Sequence, residues 1–124
     1  MVGCCFYYDT PPHGSHPWVV IVPGSKPGWF VCVNITTRRT GVVSSCELFR
    51  GEHPILTSPI SIPVFNRARE LPLPLIQRYV ASSGFSKFDP ALLARIHTAA
   101  IAADSALATP LKRMVLNFVR RSSE

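Results

Sequence analysis

Acidic residues are scarce in this sequence. Asp and Glu contribute 7 of the 124 residues against 13 Lys and Arg, which gives a formal net charge of +6. The acidic residues form no obvious pair, which disfavours catalysis by two carboxylates or by several metal ions. The excess positive charge favours an anionic partner such as a nucleic acid or an acidic protein segment. A contribution to solubility alone is the other interpretation.

Long hydrophobic runs are also missing. No apolar run approaches the roughly 20 residues that a membrane-spanning helix needs. The opening MVGCCFYYDT lacks the basic segment of a signal peptide. We therefore expect a cytoplasmic protein with no membrane partner. None of the cysteines falls in a C-x-x-C pair, so buried thiols in a reducing compartment are expected. The cysteines are Cys4, Cys5, Cys32 and Cys46.

Proline, in contrast, is abundant, and the 12 prolines divide the chain into short segments. Two apolar runs, Trp18 to Val22 and Trp29 to Ile35, flank a Pro- and Gly-rich turn. Their Val, Ile and aromatic residues predict two strands of a hairpin. The first run contains no polar residue, so we predict a central strand that is covered on both faces. The second run ends in polar and cationic residues, where a small β domain could carry a site.

The rest of the chain supplies further strands and then helices. Predicted strands cover Cys4 to Tyr8, Val42 to Phe49, and a bent edge strand from Ile55 to Phe65. A short helix from Leu75 to Ala81, ended by Gly84, follows. Two more helices begin at Asp89-Pro90 and Thr109-Pro110.

These elements predict one α+β domain: a small SH3-like antiparallel β-barrel with C-terminal helices. Residues 1–70 would form the barrel, and residues 71–124 a helical extension packed on it.

A family resemblance lies in the order of motifs over about residues 3 to 70. A Gly-containing loop closes on H-P, a V-V-I strand follows, and the next strand ends in N-I-T-T. This order resembles the MazF/PemK-like toxins of type II toxin-antitoxin systems. His16-Pro17 stands where that family typically has Arg-Pro, and Ile35-Thr36-Thr37 matches its second motif. The resemblance implies a homodimer, metal-independent cleavage of single-stranded RNA, and a cognate antitoxin with an acidic tail.

Cleavage through the RNA 2′-hydroxyl needs a base, an acid and donors for the charged phosphate. We expect His16 to act as acid or base and Thr36 to orient the phosphate. Thr37 could contact the phosphate, and Arg38 or Arg39 could act as the anion clamp. A second polar and basic cluster could extend the RNA track, or be a solvated strand face. Its members are Ser58, Ser61, Arg67 and Arg69.

Other interpretations stay open. His16 could simply face solvent while Thr36 ends a strand. A zinc site of His13 and His16 with His53 or Cys46 is conceivable, but a Pro/Gly loop enforces no geometry, so we expect no metal and no cofactor. His53, in a turn before proline, is expected to be exposed. The rival functions are a CcdB-like toxin that acts on a protein target and a binding module that has lost catalysis.

Overall fold

The structure is a computed structural model that describes residues 1–12, 14–39 and 46–123. It confirms the α+β class. In chain order the elements are β1 (Cys5–Asp9), β2 (Ser15–Pro23), β3 (Trp29–Thr37), β4 (Leu48–Phe49), β5 (Ile60–Pro72), α1 (Leu73–Ser83), α2 (Pro90–Ala100) and α3 (Thr109–Ser122). The strands form an antiparallel sheet in the order β1-β2-β3-β5-β4. Its edges are β1 and β4, so the described strands make an open sheet and not the closed barrel that we expected.

Strand β2 is central, as the sequence predicts. It lies between β1 and β3, and Trp18 to Val22 are all buried. Helices α2 and α3 pack on one face of the sheet, against a core that includes Val19, Ile21 and Val33. Helix α1 covers part of the other face, where Ile76 packs with a second group of buried side chains. That group comprises Phe6, Trp18, Val20, Cys32 and Leu71. We call the two sides the α2–α3 face and the α1 face.

The helix starts and stops follow the predicted signals closely. The Asp89 side chain accepts a hydrogen bond from the backbone N–H of Leu92 at 2.8 Å, and α2 begins at the next residue, Pro90. Helix α1 starts earlier than predicted but ends at Gly84, which has φ 74°. Helix α3 begins at Thr109. None of these helices is both long and apolar enough to cross a membrane.

The last two strands differ from the prediction. Of the strand predicted over 42–49, only Leu48–Phe49 is observed, and residues 40–45 lie outside the described ranges. The predicted edge strand from Ile55 to Phe65 begins late and runs on to Pro72, pairing with both β3 and β4. The prediction ended this strand at the charged segment after Phe65. That segment continues the strand with its polar side chains directed to solvent.

The prediction of an exposed His53 is wrong. This residue is 6% exposed, and its ring packs against Phe88. The Ile55 N–H donates to Nδ1 at 3.1 Å, so Nε2 carries the proton and donates to the Ser86 carbonyl oxygen at 2.8 Å. Three cysteines are buried as expected, and burial raises the pKa of Cys5 to about 12. His13 lies outside the described residues, which contain no group of three potential metal ligands.

Candidate functional site

The two catalytic candidates flank the point where β2 and β3 separate. These strands pair only as far as Trp18 opposite Asn34. Beyond that pair β2 follows β1 to Ser15, whereas β3 follows β5 to Thr37. His16 and Thr36 are the next residues on the same side of their strands as Trp18 and Asn34. Both therefore lie on the α1 face, one on each side of the separation.

An irregularity in β5 shapes the neighbouring surface. Asn34 pairs with Val64 and Cys32 pairs with Arg69, so residues 65–68 stand opposite the single residue Val33. Extra residues in one strand bend it and redirect its side chains, and such bulges are common beside functional sites. Here the extra length belongs to a polar and basic segment of β5. We call residues 65–68 the β5 bulge.

Residues of β2, β3 and β5, with the residue that follows β1, line an open cavity of about 370 Å³. Its size lies within the range of roughly 300–1,000 Å³ that is typical of small-molecule sites. The lining residues are Thr10, Trp18, Asn34, Asn66, Arg67, Ala68 and Arg69. We call this cavity the sheet pocket. Trp18 and Asn34, each 1% exposed, are its most buried members and form its floor.

Two side-chain atoms of the floor residues are polar and buried. Trp18 Nε1 is a donor and Asn34 Oδ1 an acceptor, and neither finds a partner in the part of the chain that the structure describes. Buried polar groups are almost always paired, and each unpaired one costs about 1–3 kcal/mol. The two residues face each other across β2 and β3. The residues at the pocket floor thus carry this donor and this acceptor on neighbouring strands.

The rim of the sheet pocket is cationic. Arg67 and Arg69 are exposed, and neither forms an ion pair within the described ranges. The Arg69 guanidinium carbon lies 5.5 Å from the centroid of the Trp18 ring, which holds its charge above the floor. Glu70, the next residue, does not neutralise this charge. Its carboxylate accepts hydrogen bonds from the Ser25 N–H and hydroxyl instead.

The other predicted phosphate ligands are arranged differently. The guanidinium of Arg38 is ion-paired with Glu47 at 2.7 Å, so an anion there would compete with a carboxylate. Arg39 is exposed and lies outside any strand. Thr37 is hydrogen-bonded to Ser58 through its hydroxyl, with 2.7 Å between the oxygens.

Ser61 is 5% exposed and pairs in register with Thr37 and with Leu48, a core residue of the α2–α3 face. Thr37 and Ser61 therefore lie on the opposite side of the sheet from the pocket. The structure brings His16, Thr36, Arg67 and Arg69 to the same face. It does not bring Thr37 and Ser61 there.

Several lining residues are not indicated by the sequence. Thr10 and Asn66 lie in a loop and in the β5 bulge, and neither belongs to a recognisable motif. Trp18 lies in a strand that the sequence predicts to be covered on both faces; the structure shows a buried ring whose N–H has no partner among the described residues. The one available signal is Asn34, a polar residue inside an otherwise apolar strand. Its side chain marks the position of the pocket floor.

The fold and the site define an α+β protein with a polar, cationic pocket on one face of an open antiparallel sheet. Comparison of the chain with models of protein families, with curated proteins and with solved structures finds no match. The MazF/PemK-like relationship therefore stays a prediction from the motifs.

Proposed function

We propose that this chain is a toxin-like endoribonuclease that binds single-stranded RNA across the sheet pocket and cleaves it without a metal. The observation that carries the proposal is the combination of a cationic rim with an unpaired donor and acceptor beneath it. Single-stranded RNA offers both phosphates for arginines and unstacked base edges for buried polar groups. The net charge of +6 favours the same partner.

The proposed chemistry uses the residues on either side of the strand separation. The RNA 2′-oxygen attacks the phosphorus, its proton passes to a base, and the 5′-oxygen leaves after receiving a proton from an acid. Histidine titrates near neutral pH, so we assign one of these two proton transfers to His16. The Thr36 hydroxyl orients the phosphate. Arg67 and Arg69 stabilise the charge that develops on the phosphate oxygens. The products are a 2′,3′-cyclic phosphate and a 5′-hydroxyl.

The wider proposal is a cytoplasmic toxin of MazF/PemK type. Its sheet would be related to the SH3-like barrel of that family, and it would form a homodimer and have a cognate antitoxin. An acidic antitoxin tail would be attracted to the same cationic rim that attracts RNA. A short neighbouring reading frame that encodes such a tail would support this part of the proposal.

The test is cleavage of single-stranded RNA in the presence of a metal chelator. We expect defined cuts that leave 2′,3′-cyclic phosphate ends. His16→Ala should reduce the rate by about 10²-fold or more, as for the loss of a general acid or base, and Thr36→Ala should also slow cleavage. Thr98→Ala, an exposed position on α2, serves as the control and should cleave like the wild type. Intact RNA would exclude this function, and undiminished cleavage by both variants would remove the assignment of the chemistry to His16 and Thr36.

The second candidate is a non-catalytic protein, favoured by His16 in the position where the family has a catalytic arginine. RNA that binds but stays intact would indicate a nucleic-acid-binding module. Growth arrest with intact cellular RNA would indicate a toxin that acts on a protein target, as CcdB-like toxins do. The cleavage assay and an expression test in cells together separate the three possibilities.

A further inference from the structure

The floor of the sheet pocket constrains its ligand more tightly than the rim does. A phosphodiester or a carboxylate would satisfy Arg67 and Arg69, but it brings no donor for Asn34 Oδ1. A ligand that pairs both floor atoms must present an acceptor to Trp18 Nε1 and a donor to Asn34 Oδ1. The two residues are Cα partners across β2 and β3 and line the same pocket, so one ligand that meets both atoms needs its acceptor and its donor on one side.

A nucleobase has this arrangement. Each base carries an acceptor beside an N–H donor on its Watson–Crick edge, and both point the same way. A peptide group differs, because its N–H and C=O point in opposite directions in the trans form. A base is also planar and small enough for a cavity of about 370 Å³. The floor chemistry therefore favours a base over a peptide.

We propose that the sheet pocket recognises one unstacked nucleobase of the bound RNA. Trp18 Nε1–H donates to the ring nitrogen or carbonyl oxygen of the base edge, and Asn34 Oδ1 accepts from the adjacent N–H. Arg67 and Arg69 bind the phosphate of the same nucleotide at the rim. This inference rests on the proposed function for its substrate and deepens it by naming the residues that hold the base. Because every base has such an edge, these two bonds fix the position of the base and not its identity.

The test compares 5′-nucleoside monophosphates with ribose 5-phosphate, which has the same phosphate and sugar but no base. Binding to the full chain is measured by calorimetry or by chemical-shift titration. We expect the nucleotides to bind more tightly than ribose 5-phosphate. Trp18→Phe keeps an aromatic ring, although a smaller one, and removes the N–H. Asn34→Leu keeps the size and removes the carbonyl. Each should weaken nucleotide binding about tenfold or more. Asn34→Leu should leave ribose 5-phosphate binding unchanged, whereas Trp18→Phe also alters the ring on which Arg69 lies.

Stability separates a binding role from a structural role for Asn34 Oδ1. Replacing an unpaired buried polar group by an apolar group of similar shape is close to neutral or stabilising. We therefore expect the melting temperature of Asn34→Leu to equal or exceed that of the wild type. Trp18→Phe also shortens a large buried ring and should lower the melting temperature through the cavity that it leaves, so this variant is used for binding only. A clear decrease for Asn34→Leu would show that its carbonyl oxygen is paired within the protein, which would overturn the proposal.

The remaining outcomes distinguish this inference from the proposed nuclease activity. If nucleotides bind as expected but RNA stays intact, the base pocket stands and the nuclease assignment is wrong. If RNA is cleaved at the same sites and rates by both pocket variants, the base pocket is wrong and the nuclease stands. Equal affinity for nucleotides and ribose 5-phosphate also overturns the pocket. The pocket proposal is also overturned if nucleotides do not bind and an acidic peptide binds to the wild type but to neither variant.

Discussion

His97, on α2, is anchored to the central strand of the sheet. Its Nε2 lies 2.6 Å from the Ile21 carbonyl oxygen, and because a carbonyl only accepts, this nitrogen carries the proton. Ile21 falls where the β2–β3 register shifts, between Val20 and Val22. The imidazole thus supplies a donor where the strand ladder is irregular. It is buried, with the Phe118 ring against it.

Stability should depend on pH through His97. Burial lowers its pKa below the ordinary 6.5, and the hydrogen bond to Ile21 opposes this only in part. As the pH falls through 6.5, the unfolded chain takes up a proton that the folded chain does not, so the free energy of unfolding falls. We expect lower urea midpoints at about pH 5.5 than at about pH 7.5. His97→Gln keeps an N–H donor and should show a flatter pH profile. A wild-type profile as flat as that of the variant would contradict this assignment.

Single residues show how far the sequence predicts the site. His16, Thr36, Arg67 and Arg69 can be proposed from their chemistry, and the structure places them on the same face of the sheet. The unpaired atoms at the pocket floor could not be predicted. They depend on which side chains face each other across strands, and composition carries no information about that register. The burial of His53 could not be predicted either, since its partner Ser86 is remote in sequence.

The β2–β3 hairpin is fixed by contacts around Gly24. Its N–H donates to the Trp29 carbonyl oxygen at 2.7 Å, and Glu70 holds the adjacent Ser25. A Cβ at Gly24 would clash with Glu70 Oε1 and would lie 2.9 Å from the Trp29 oxygen. The carboxylate can move away, but the backbone oxygen cannot move without opening the turn.

Gly24→Ala should therefore destabilise the protein by about 1–3 kcal/mol, the usual cost of forcing an extra methyl group into a packed position. Denaturant unfolding measures the change, and Lys26→Ala, exposed in the same turn, is the control. Glu70→Ala removes only the carboxylate from the clash. Gly24→Ala should thus remain destabilising in that background. If the loss disappears there, the Trp29 oxygen is not the obstacle.

Helix ends that are set by neighbouring residues could be predicted from the sequence. Strand limits that are set by remote pairing could not. The Asp-Pro start of α2 and the glycine end of α1 are set by neighbouring residues, so both appear where expected. The limits of β5 are set by pairing with β3, a contact remote in sequence. The charged residues after Phe65 look like the end of a strand because the sequence does not show that β3 continues beside them.

Two ion pairs among the described residues neutralise arginines outside the sheet pocket. Glu47 pairs with Arg38 and Glu52 with Arg95. Arg67 and Arg69 at the pocket rim have no such partner among the described residues, and helix α3 carries further exposed arginines, among them Arg113. Because α3 packs on the α2–α3 face, the cationic surfaces of the pocket and of this helix lie on opposite sides of the sheet.

Because the two cationic surfaces are separate, substitutions on each of them can distinguish RNA binding at the sheet pocket from attraction by the net charge. The affinity for single-stranded RNA should fall with salt, with a log–log slope of about −0.7 for each phosphate contact. Arg67→Ala should reduce the magnitude of that slope by roughly 0.7, because one contact is lost. Arg113→Ala removes the same charge from α3 and should leave the slope unchanged. Fluorescence anisotropy over a salt series measures both. Equal effects of the two substitutions would mean that RNA follows the overall charge, and the sheet pocket would then not be its binding site.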